Sequence, residues 1–215
     1  MNFLCHCEIA VFISQQQASL ADLQPGMLAG AVLGDFIKGP IKETWDPDLA
    51  LGIKLHRKID AISNEDPMIK RACNRFPSRI RRVAPILIDV ISDYFLANNW
   101  NMFQQTELET FSKKCHLALD RHKEYGGMRF VRFLGHMRQH NLLLNSGSWQ
   151  SIEKVTSSIL KRLGKEKELK FTMDAMQSSK QELSEDFNLY YPRIRESSLA
   201  WTFENTPQRK TKDIS

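Results

Sequence analysis

The sequence predicts an all-α protein with a single helical domain. Nearly every apolar stretch repeats with the period of a helix rather than alternating along the chain, and no clear hairpin signal separates the stretches. Proline and glycine fall between the apolar stretches, where one helix ends and the next begins. With 215 residues, 42% of them hydrophobic, the chain is long enough for one domain with a sizeable core.

The expected helix boundaries have local reasons. The Gly-Pro pair at 39–40 ends the first predicted helix, and the Asp-Pro pair at 66–67 is typical of an N-cap followed by a first-turn proline. The Gly-Gly pair at 126–127 and the run 145–148 mark turns. Helices are therefore expected over 17–38, 46–63, 67–76, 83–100, 106–122, 128–144, 148–163, 166–178 and 180–196.

The two ends of the sequence are interpreted differently. Residues 1–14 are apolar, lack a basic leader and contain His6 and Glu8, so we expect them in the core rather than in a signal peptide. Residues 197–215 are expected to form a polar, basic tail that is partly disordered, outside a domain that covers residues 1–196.

Charge, hydropathy and cysteine content restrict the compartment and the partners. The formal net charge of +5 permits an acidic partner without indicating nucleic acid, and we expect no nucleic-acid partner. No apolar run approaches the roughly 20 residues that span a bilayer, so no membrane partner is expected. The four cysteines show no disulfide pattern, and Cys5 and Cys7 are interpreted as buried thiols. These observations favour the cytoplasm and carry no prediction of oligomeric state.

The most informative stretch is the apolar helix predicted over 83–100, which contains two carboxylates. Asp89 and Asp93 are four positions apart and share one face of the helix, flanked by isoleucine and valine. Buried carboxylates are tolerated when they bind a metal, pair with a cation or share a proton. The stretch therefore predicts either a metal or acid/base site, or one exposed aspartate and a second one paired with an arginine.

Other polar side chains also lie where the pattern predicts core. Asp35 falls in the last turn of a predicted helix, where the helix dipole disfavours a carboxylate; it is either near a cation or metal, or exposed beside Lys38. His56 and Asp60 are four apart and could ligate a metal or form a simple surface hydrogen bond. His6 is either a further ligand or a satisfied core histidine. A second pair, His136 and His140, is interpreted as surface because basic residues surround it.

Together these residues predict a metal centre assembled from several helices. Helical domains with histidine and aspartate ligands support phosphoester hydrolysis, because a divalent metal makes bound water acidic and neutralises charge on the phosphoryl oxygens. The sequence lacks a P-loop, a G-x-S-x-G elbow and a Rossmann glycine signature, which excludes the commonest alternative chemistries.

Several long motifs of the chain resemble those of the bacterial acyl-carrier-protein phosphodiesterase family, also called ACP hydrolases. They are MNFLCH at the start, GAVLGDFIKG (30–39), GIKLHRKID (52–60), RRVAPILIDVISDYFLANNW (81–100) and FNLYYPRI (187–194). The resemblance implies an all-α, distorted relative of the HD phosphohydrolase fold with a divalent metal, expected to be Mn²⁺. It also implies hydrolysis of 4′-phosphopantetheine from holo-acyl carrier protein to give the apo form, a reaction linked to fatty acid biosynthesis.

The same resemblance implies roles for individual residues. It makes Asp35, His56 and Asp93 the catalytic candidates, and it predicts as metal ligands the residues His6, Asp35, His56, Asp60, Asp89 and Asp93. Two positions depart from the family pattern, since this chain has Asn64 where the family usually has aspartate and Tyr94 where it usually has histidine. Neither residue is a good substitute as a ligand.

A basic cluster borders the motif helices and is predicted to contact the acidic carrier protein. Its predicted partner-binding residues are Lys54, Arg57, Lys58, Arg81 and Arg82. The alternative for the cluster is a solvated helical face. Two alternatives remain for the whole protein: a non-catalytic relative that binds acyl carrier protein, and a metal-dependent hydrolase of a small phosphoester.

Overall fold

The computed structural model describes residues 1–16 and 21–206, and within these ranges the chain is all-α without strands. This confirms the predicted fold class; the closer likeness to the HD fold stays a prediction. The ten α-helices of the described ranges are α1 (Phe3–Gln16), α2 (Gln24–Leu33), α3 (Pro47–Glu65), α4 (Pro67–Asn74), α5 (Ala84–Asn98), α6 (Leu108–Arg121), α7 (Gly127–Gln139), α8 (Trp149–Arg162), α9 (Leu169–Ser178) and α10 (Lys180–Asn205). Short 3₁₀ turns cover Arg81–Val83, Trp100–Met102, Lys123–Gly126, Leu144–Gly147 and Glu166–Glu168.

Local sequence signals set several of these boundaries. The Asp46 side chain accepts a hydrogen bond from the backbone N–H of Asp48 and caps α3. Asp66 caps α4 in the same way, accepting from the N–H groups of Met68 and Ile69, and a proline follows both caps in the first turn. The caps end one helix and start the next, so the polypeptide changes direction where the sequence predicts it.

The first and last helices differ most from the sequence-based expectation. The sequence predicts that residues 1–14 are buried in the core but predicts no helix there. In the structure they form α1, whose His6 and Glu8 are buried. The last helix continues past 196 to Asn205, so the first part of the predicted tail is helical. The remaining tail residues, 207–215, and residues 17–20 of the first predicted helix lie outside the described residues, and the domain division stays a prediction.

Helices α2 and α3 pack so closely that their backbones are in contact. A Cβ atom added to Gly30 would lie 2.5 Å from the backbone of Gly52, so only glycine permits this approach. The contact places Asp35, which follows α2, beside His56 on α3. The close helix pair therefore determines the geometry of the site described below.

Helices α1 and α10 complete the core around this pair. The buried Glu8 of α1 accepts hydrogen bonds from Tyr191 (2.5 Å) and Arg195 (3.0 Å) of α10, and from Gln104 (2.9 Å). Burial raises the pKa of the Glu8 carboxyl, and the Arg195 charge opposes that rise. Among the described residues, none of the helices combines the length and the hydropathy that a membrane span needs.

Candidate active site

A cleft of about 1120 Å³ opens between α3, α5, α7 and α8. Asp35, Asp60, Asp89 and Asp93 line the cleft, together with the N-terminal residue Met1. Aliphatic side chains of α5 and α8 line it as well, including Ile86, Val90, Ile152, Val155 and Ile159. The cleft therefore combines a carboxylate-rich part with an apolar part.

His6, His56 and Asp60 form the closest group of possible metal ligands in the described part of the chain. One donor atom from each lies within 4.8 Å of the other two. His6 Nε2 is 3.1 Å from Asp60 Oδ1, and His56 Nε2 is 3.3 Å from Asp60 Oδ2. The two imidazole rings stack with their centroids 4.0 Å apart. Both histidines are buried, whereas the Asp60 carboxylate is half exposed to the cleft.

Hydrogen bonding fixes the tautomer of His56. Its Nδ1 lies 2.8 Å from the carbonyl oxygen of Ala31, and because a carbonyl only accepts, Nδ1 carries the proton. With Nδ1 protonated, Nε2 faces Asp60 Oδ2 at 3.3 Å and Asp35 Oδ1 at 3.7 Å. Because carboxylate oxygens only accept, Nε2 either donates a second proton to them or shares a cation with them.

The charge states of His6 and Asp60 also favour a bound cation. Burial and the neighbouring His56 lower the pKa of His6 to about 3, so His6 is neutral at physiological pH. Burial would raise the pKa of the Asp60 carboxyl, but hydrogen bonds from His56 and His6 outweigh it and hold that pKa below its ordinary value. The group is therefore an anionic carboxylate beside a neutral imidazole, which suits a metal cation.

Asp89 joins this group through the N-terminal amine. The Met1 nitrogen lies 2.8 Å from Asp89 Oδ1 and 3.5 Å from Asp60 Oδ1. Burial lowers the pKa of this amine, yet the two carboxylates more than compensate and raise it to about 10. The space between Asp60 and Asp89 thus accommodates a positive charge.

Asp93, predicted as a ligand and catalytic residue, is not brought into this group. Its two oxygens accept hydrogen bonds from the backbone N–H groups of Leu4 (3.0 Å) and Cys5 (2.9 Å) at the start of α1. Burial raises the pKa of Asp93 to about 6, with the two N–H groups opposing that rise. In the structure Asp93 holds the N-terminus of the helix that carries His6, and its catalytic role stays a prediction.

The donor set fits a divalent metal. Two imidazole nitrogens and a carboxylate, with Asp35 and Asp89 as further carboxylates nearby, are ligands that manganese, iron and zinc all accept. The buried Nδ1 of His6 has no hydrogen-bond partner among the described residues, whereas its Nε2 lies 3.1 Å from both the Met1 carbonyl oxygen and Asp60 Oδ1. The geometry supports a metal without identifying it.

The two residues that depart from the family pattern lie in different surroundings. Tyr94 does not line the cleft; its hydroxyl accepts a hydrogen bond from Lys180 (2.7 Å), and its ring contacts Trp149 edge to face. Asn64 is exposed and lines the cleft. Of the two residues, only Asn64 therefore faces the cleft.

The predicted partner-binding cluster is separated from the cleft. Arg57 donates to the carbonyl oxygens of Ile37 and Gly39, and Arg81 donates to that of Phe76. None of the predicted residues Lys54, Arg57, Lys58, Arg81 and Arg82 lines the cleft. The basic residues that do line it are Lys38, Arg129, His136, His140, Lys154 and Arg162. None of these residues was predicted to lie at the cleft, although their helical spacing in α7 and α8 was available as a signal.

Comparison with known proteins gives a consistent result. A family model described as acyl carrier protein phosphodiesterase matches residues 1–194. A protein of that name from Photorhabdus laumondii is 26% identical over 209 residues, covering 97% of this chain and all of the relative. One from an Escherichia coli O6:H1 strain is 27% identical over 202 residues, covering 92% of this chain and 97% of the relative. No solved structure matches the chain significantly.

Proposed function

The chain belongs to the acyl carrier protein phosphodiesterase family, and on this premise we propose that it hydrolyses the bond between acyl carrier protein and its 4′-phosphopantetheine group. Water attacks phosphorus, the bond to the carrier serine oxygen breaks, and apo-acyl carrier protein and 4′-phosphopantetheine leave. The reaction is linked to fatty acid biosynthesis, and the cytoplasm is the proposed compartment. The observation that carries the proposal is the His6–His56–Asp60 group at the wall of a large cleft.

The residues of the group have distinct proposed roles. His6, His56 and Asp60 hold a divalent metal, proposed to be Mn²⁺, and Asp89 adds negative charge beside Asp60. When bound, the metal supplies positive charge that stabilises the phosphoryl oxygens and makes a nearby water more acidic. Ala31 orients the His56 ring through the hydrogen bond to Nδ1.

Asp35 is the proposed proton acceptor for the attacking water. It is half exposed to the cleft and lies 3.7 Å from His56 Nε2, so its carboxylate reaches both solvent and the metal ligands. Asp93 acts indirectly, by fixing the start of α1 and therefore the position of His6.

The size of the cleft suits more than a phosphate. A volume of about 1120 Å³ is large for a single anion, and the aliphatic side chains Ile86 and Val90 of α5 offer a surface for the neutral pantetheine arm. The small-phosphoester alternative leaves this apolar part unused.

The test is release of phosphopantetheine from holo-acyl carrier protein, followed by intact mass with Mn²⁺ and with EDTA. We expect wild-type protein to remove the group and EDTA to abolish removal. Asp35→Ala and Asp60→Asn should each lower kcat at least about 100-fold, because each removes a positioned catalytic or ligand group. Mn²⁺ should raise the Tm of wild type and not that of Asp60→Asn.

The matched control is Asp174→Asn, which changes an exposed aspartate of α9 that does not line the cleft, and wild-type turnover is expected. Stable complex formation without release of phosphopantetheine, with every metal tried, would contradict the proposal and favour the non-catalytic binding protein. In that case Asn64 is the residue to revert to aspartate.

A further inference from the structure

The cleft has a cationic wall formed by α7 and α8. This wall is defined by Arg129, His136, His140, Lys154 and Arg162, all of which are exposed and line the cleft. In the part of the chain that the structure describes, none of the five has a carboxylate within ion-pair distance. The two arginines and the lysine of the wall therefore face the cleft without an ion-pair partner in the described part of the chain.

Several arginines elsewhere are compensated inside the protein. Asp186 is paired with Arg71 and Arg75, and Glu168 with Arg79. Further pairs join Arg138 to Asp120, Arg193 to Asp66 and Arg195 to Glu8. The cationic wall thus differs from these arginines in having its charge available to a ligand.

The spacing of the wall residues shows that one face of α7 and one face of α8 line the cleft. On α7 the cleft-lining residues Arg129, Phe133 and His136 recur every three or four positions, and His140 follows directly after the helix. On α8 the residues Ser151, Val155, Ser158 and Arg162 recur in the same way, with Lys154 beside them. From Arg129 to Gln139 the helix rise covers about 15 Å. One phosphodiester is much shorter than that distance, so the wall fits a ligand with several separated negative charges.

The side chains near the cations favour a protein over a nucleic acid as the ligand. Ile152, Val155 and Ile159 of α8 are aliphatic and line the same cleft, whereas the ring of Phe133 on α7 packs against Phe3 and Phe36. Single-stranded nucleic acids are bound on aromatic stacking platforms, whereas alternating cations and aliphatic side chains match an amphipathic helix with an acidic face.

We propose that the cationic wall is the docking surface for an acidic helix of the carrier protein, which is thereby oriented with its phosphodiester over the His6–His56–Asp60 group. The inference rests on the proposed function and adds the location of the partner. It differs from the sequence-based expectation, which placed the carrier protein on the cluster between Lys54 and Arg82.

The test compares three double charge reversals that change the net charge equally. Arg129→Glu with Lys154→Glu alters the cationic wall, and Lys54→Glu with Arg82→Glu alters the cluster expected from the sequence. Lys114→Glu with Lys170→Glu is the control, on exposed positions of α6 and α9 that do not line the cleft. The measurements are KM and kcat for holo-acyl carrier protein, the Kd of apo-acyl carrier protein by fluorescence anisotropy, and the thermal melt of each variant.

In the wall variant, KM and the Kd of apo-acyl carrier protein should be about tenfold higher or more at low salt, with kcat nearly unchanged. The difference in KM and Kd between this variant and wild type should shrink in 0.5 M NaCl. The control should leave both unchanged, and the sequence-predicted pair should have a smaller effect than the wall pair. Unchanged KM and Kd in the wall variant would overturn the inference, as would a larger effect of the Lys54/Arg82 pair or tighter competition by a single-stranded oligonucleotide.

The experiments distinguish an error in the proposed function from an error in the docking inference. If wild type releases no phosphopantetheine, the proposed function fails, while the Kd of the apo carrier protein still tests the docking surface. If release is normal and the wall variant keeps its KM, only the docking inference is wrong.

Discussion

At the scale of single residues, the two aspartates of α5 have different surroundings although they share one helix face. Asp89 is half exposed and lies 2.8 Å from the Met1 amine, whereas Asp93 is buried and accepts two backbone hydrogen bonds from α1. The difference arises because α1 begins directly against Asp93. Spacing within α5 therefore predicted that the pair shares a face, and the neighbouring helix decided which carboxylate accepts backbone hydrogen bonds and which pairs with the Met1 amine.

The raised pKa of Asp93 gives a pH-dependent contribution to stability. Because its folded pKa of about 6 exceeds the ordinary 3.8, the folded state binds this proton more tightly, and stability from this group falls as the pH rises through 6. We expect Asp93→Asn to remove this dependence. The free energy of unfolding of wild type relative to Asp93→Asn should be about 1 kcal/mol larger at pH 5 than at pH 7.

Urea unfolding of both proteins at the two pH values measures this difference. The Asp174→Asn variant is the control, since its aspartate is exposed on α9. A pH-independent difference between wild type and Asp93→Asn would show that the carboxyl of Asp93 titrates normally.

At the scale of elements, the contact between α2 and α3 controls the position of His56. Gly34 ends α2, and a Cβ atom added there would lie 2.3 Å from Cγ of the His56 ring. Glycine at this position therefore leaves room for the imidazole to reach both Ala31 and Asp60. Sequence analysis singled out the Gly-Asp-Phe motif by resemblance, and the structure supplies a steric reason for its glycine.

Replacing Gly34 with alanine should displace the ring. We expect Gly34→Ala to lower kcat by about 10- to 100-fold through misplacement of His56, and to cost about 1–3 kcal/mol of stability through overpacking. The measurements are steady-state kinetics on holo-acyl carrier protein and urea unfolding.

Gly135→Ala on α7 is the matched control, because an added Cβ meets no atom within 4 Å there. It should keep full activity and stabilise the helix by up to about 1 kcal/mol. Equal kinetics for Gly34→Ala and wild type would show that the His56 ring has room to shift.

At the scale of the whole molecule, α10 joins distant parts of the chain around the core. Its Asp186 is fully buried and receives hydrogen bonds from Arg71 and Arg75, which lie on and just after α4. Its Tyr191 and Arg195 contact Glu8 of α1. These buried polar contacts tie the last helix to both the first helix and the middle of the chain.

Removing the Asp186 carboxylate should destabilise the fold without affecting the chemistry. We expect Asp186→Ala to lower the free energy of unfolding by about 2 kcal/mol. This is less than the loss expected for a fully buried ion pair, because the side chains of Arg71 and Arg75 are 46% and 27% exposed and reach water when their partner is removed. Thermal unfolding and kcat are the measurements. The control, Asp174→Ala, should have a free energy of unfolding within about 0.5 kcal/mol of the wild-type value. A large loss of kcat in Asp186→Ala, at temperatures where that variant is folded, would contradict a purely structural role for Asp186.

The sequence by itself determined the all-α class, the caps such as Asp66 and the pairs four positions apart, because these depend on periods and contacts within one helix. It did not assign α1 as a helix. That segment is apolar on nearly all sides, so it has no amphipathic period to detect.

Only the tertiary structure decided which candidates meet. His6 comes from α1 and His56 and Asp60 from α3, and glycine contacts between helices set their approach. The same packing assigned Asp93 to α1 and placed Arg129 and Lys154, rather than the Lys54–Arg82 cluster, at the cleft. The physical reason is that contacts between helices depend on side-chain shape across elements far apart in sequence, which periodicity along one element does not encode.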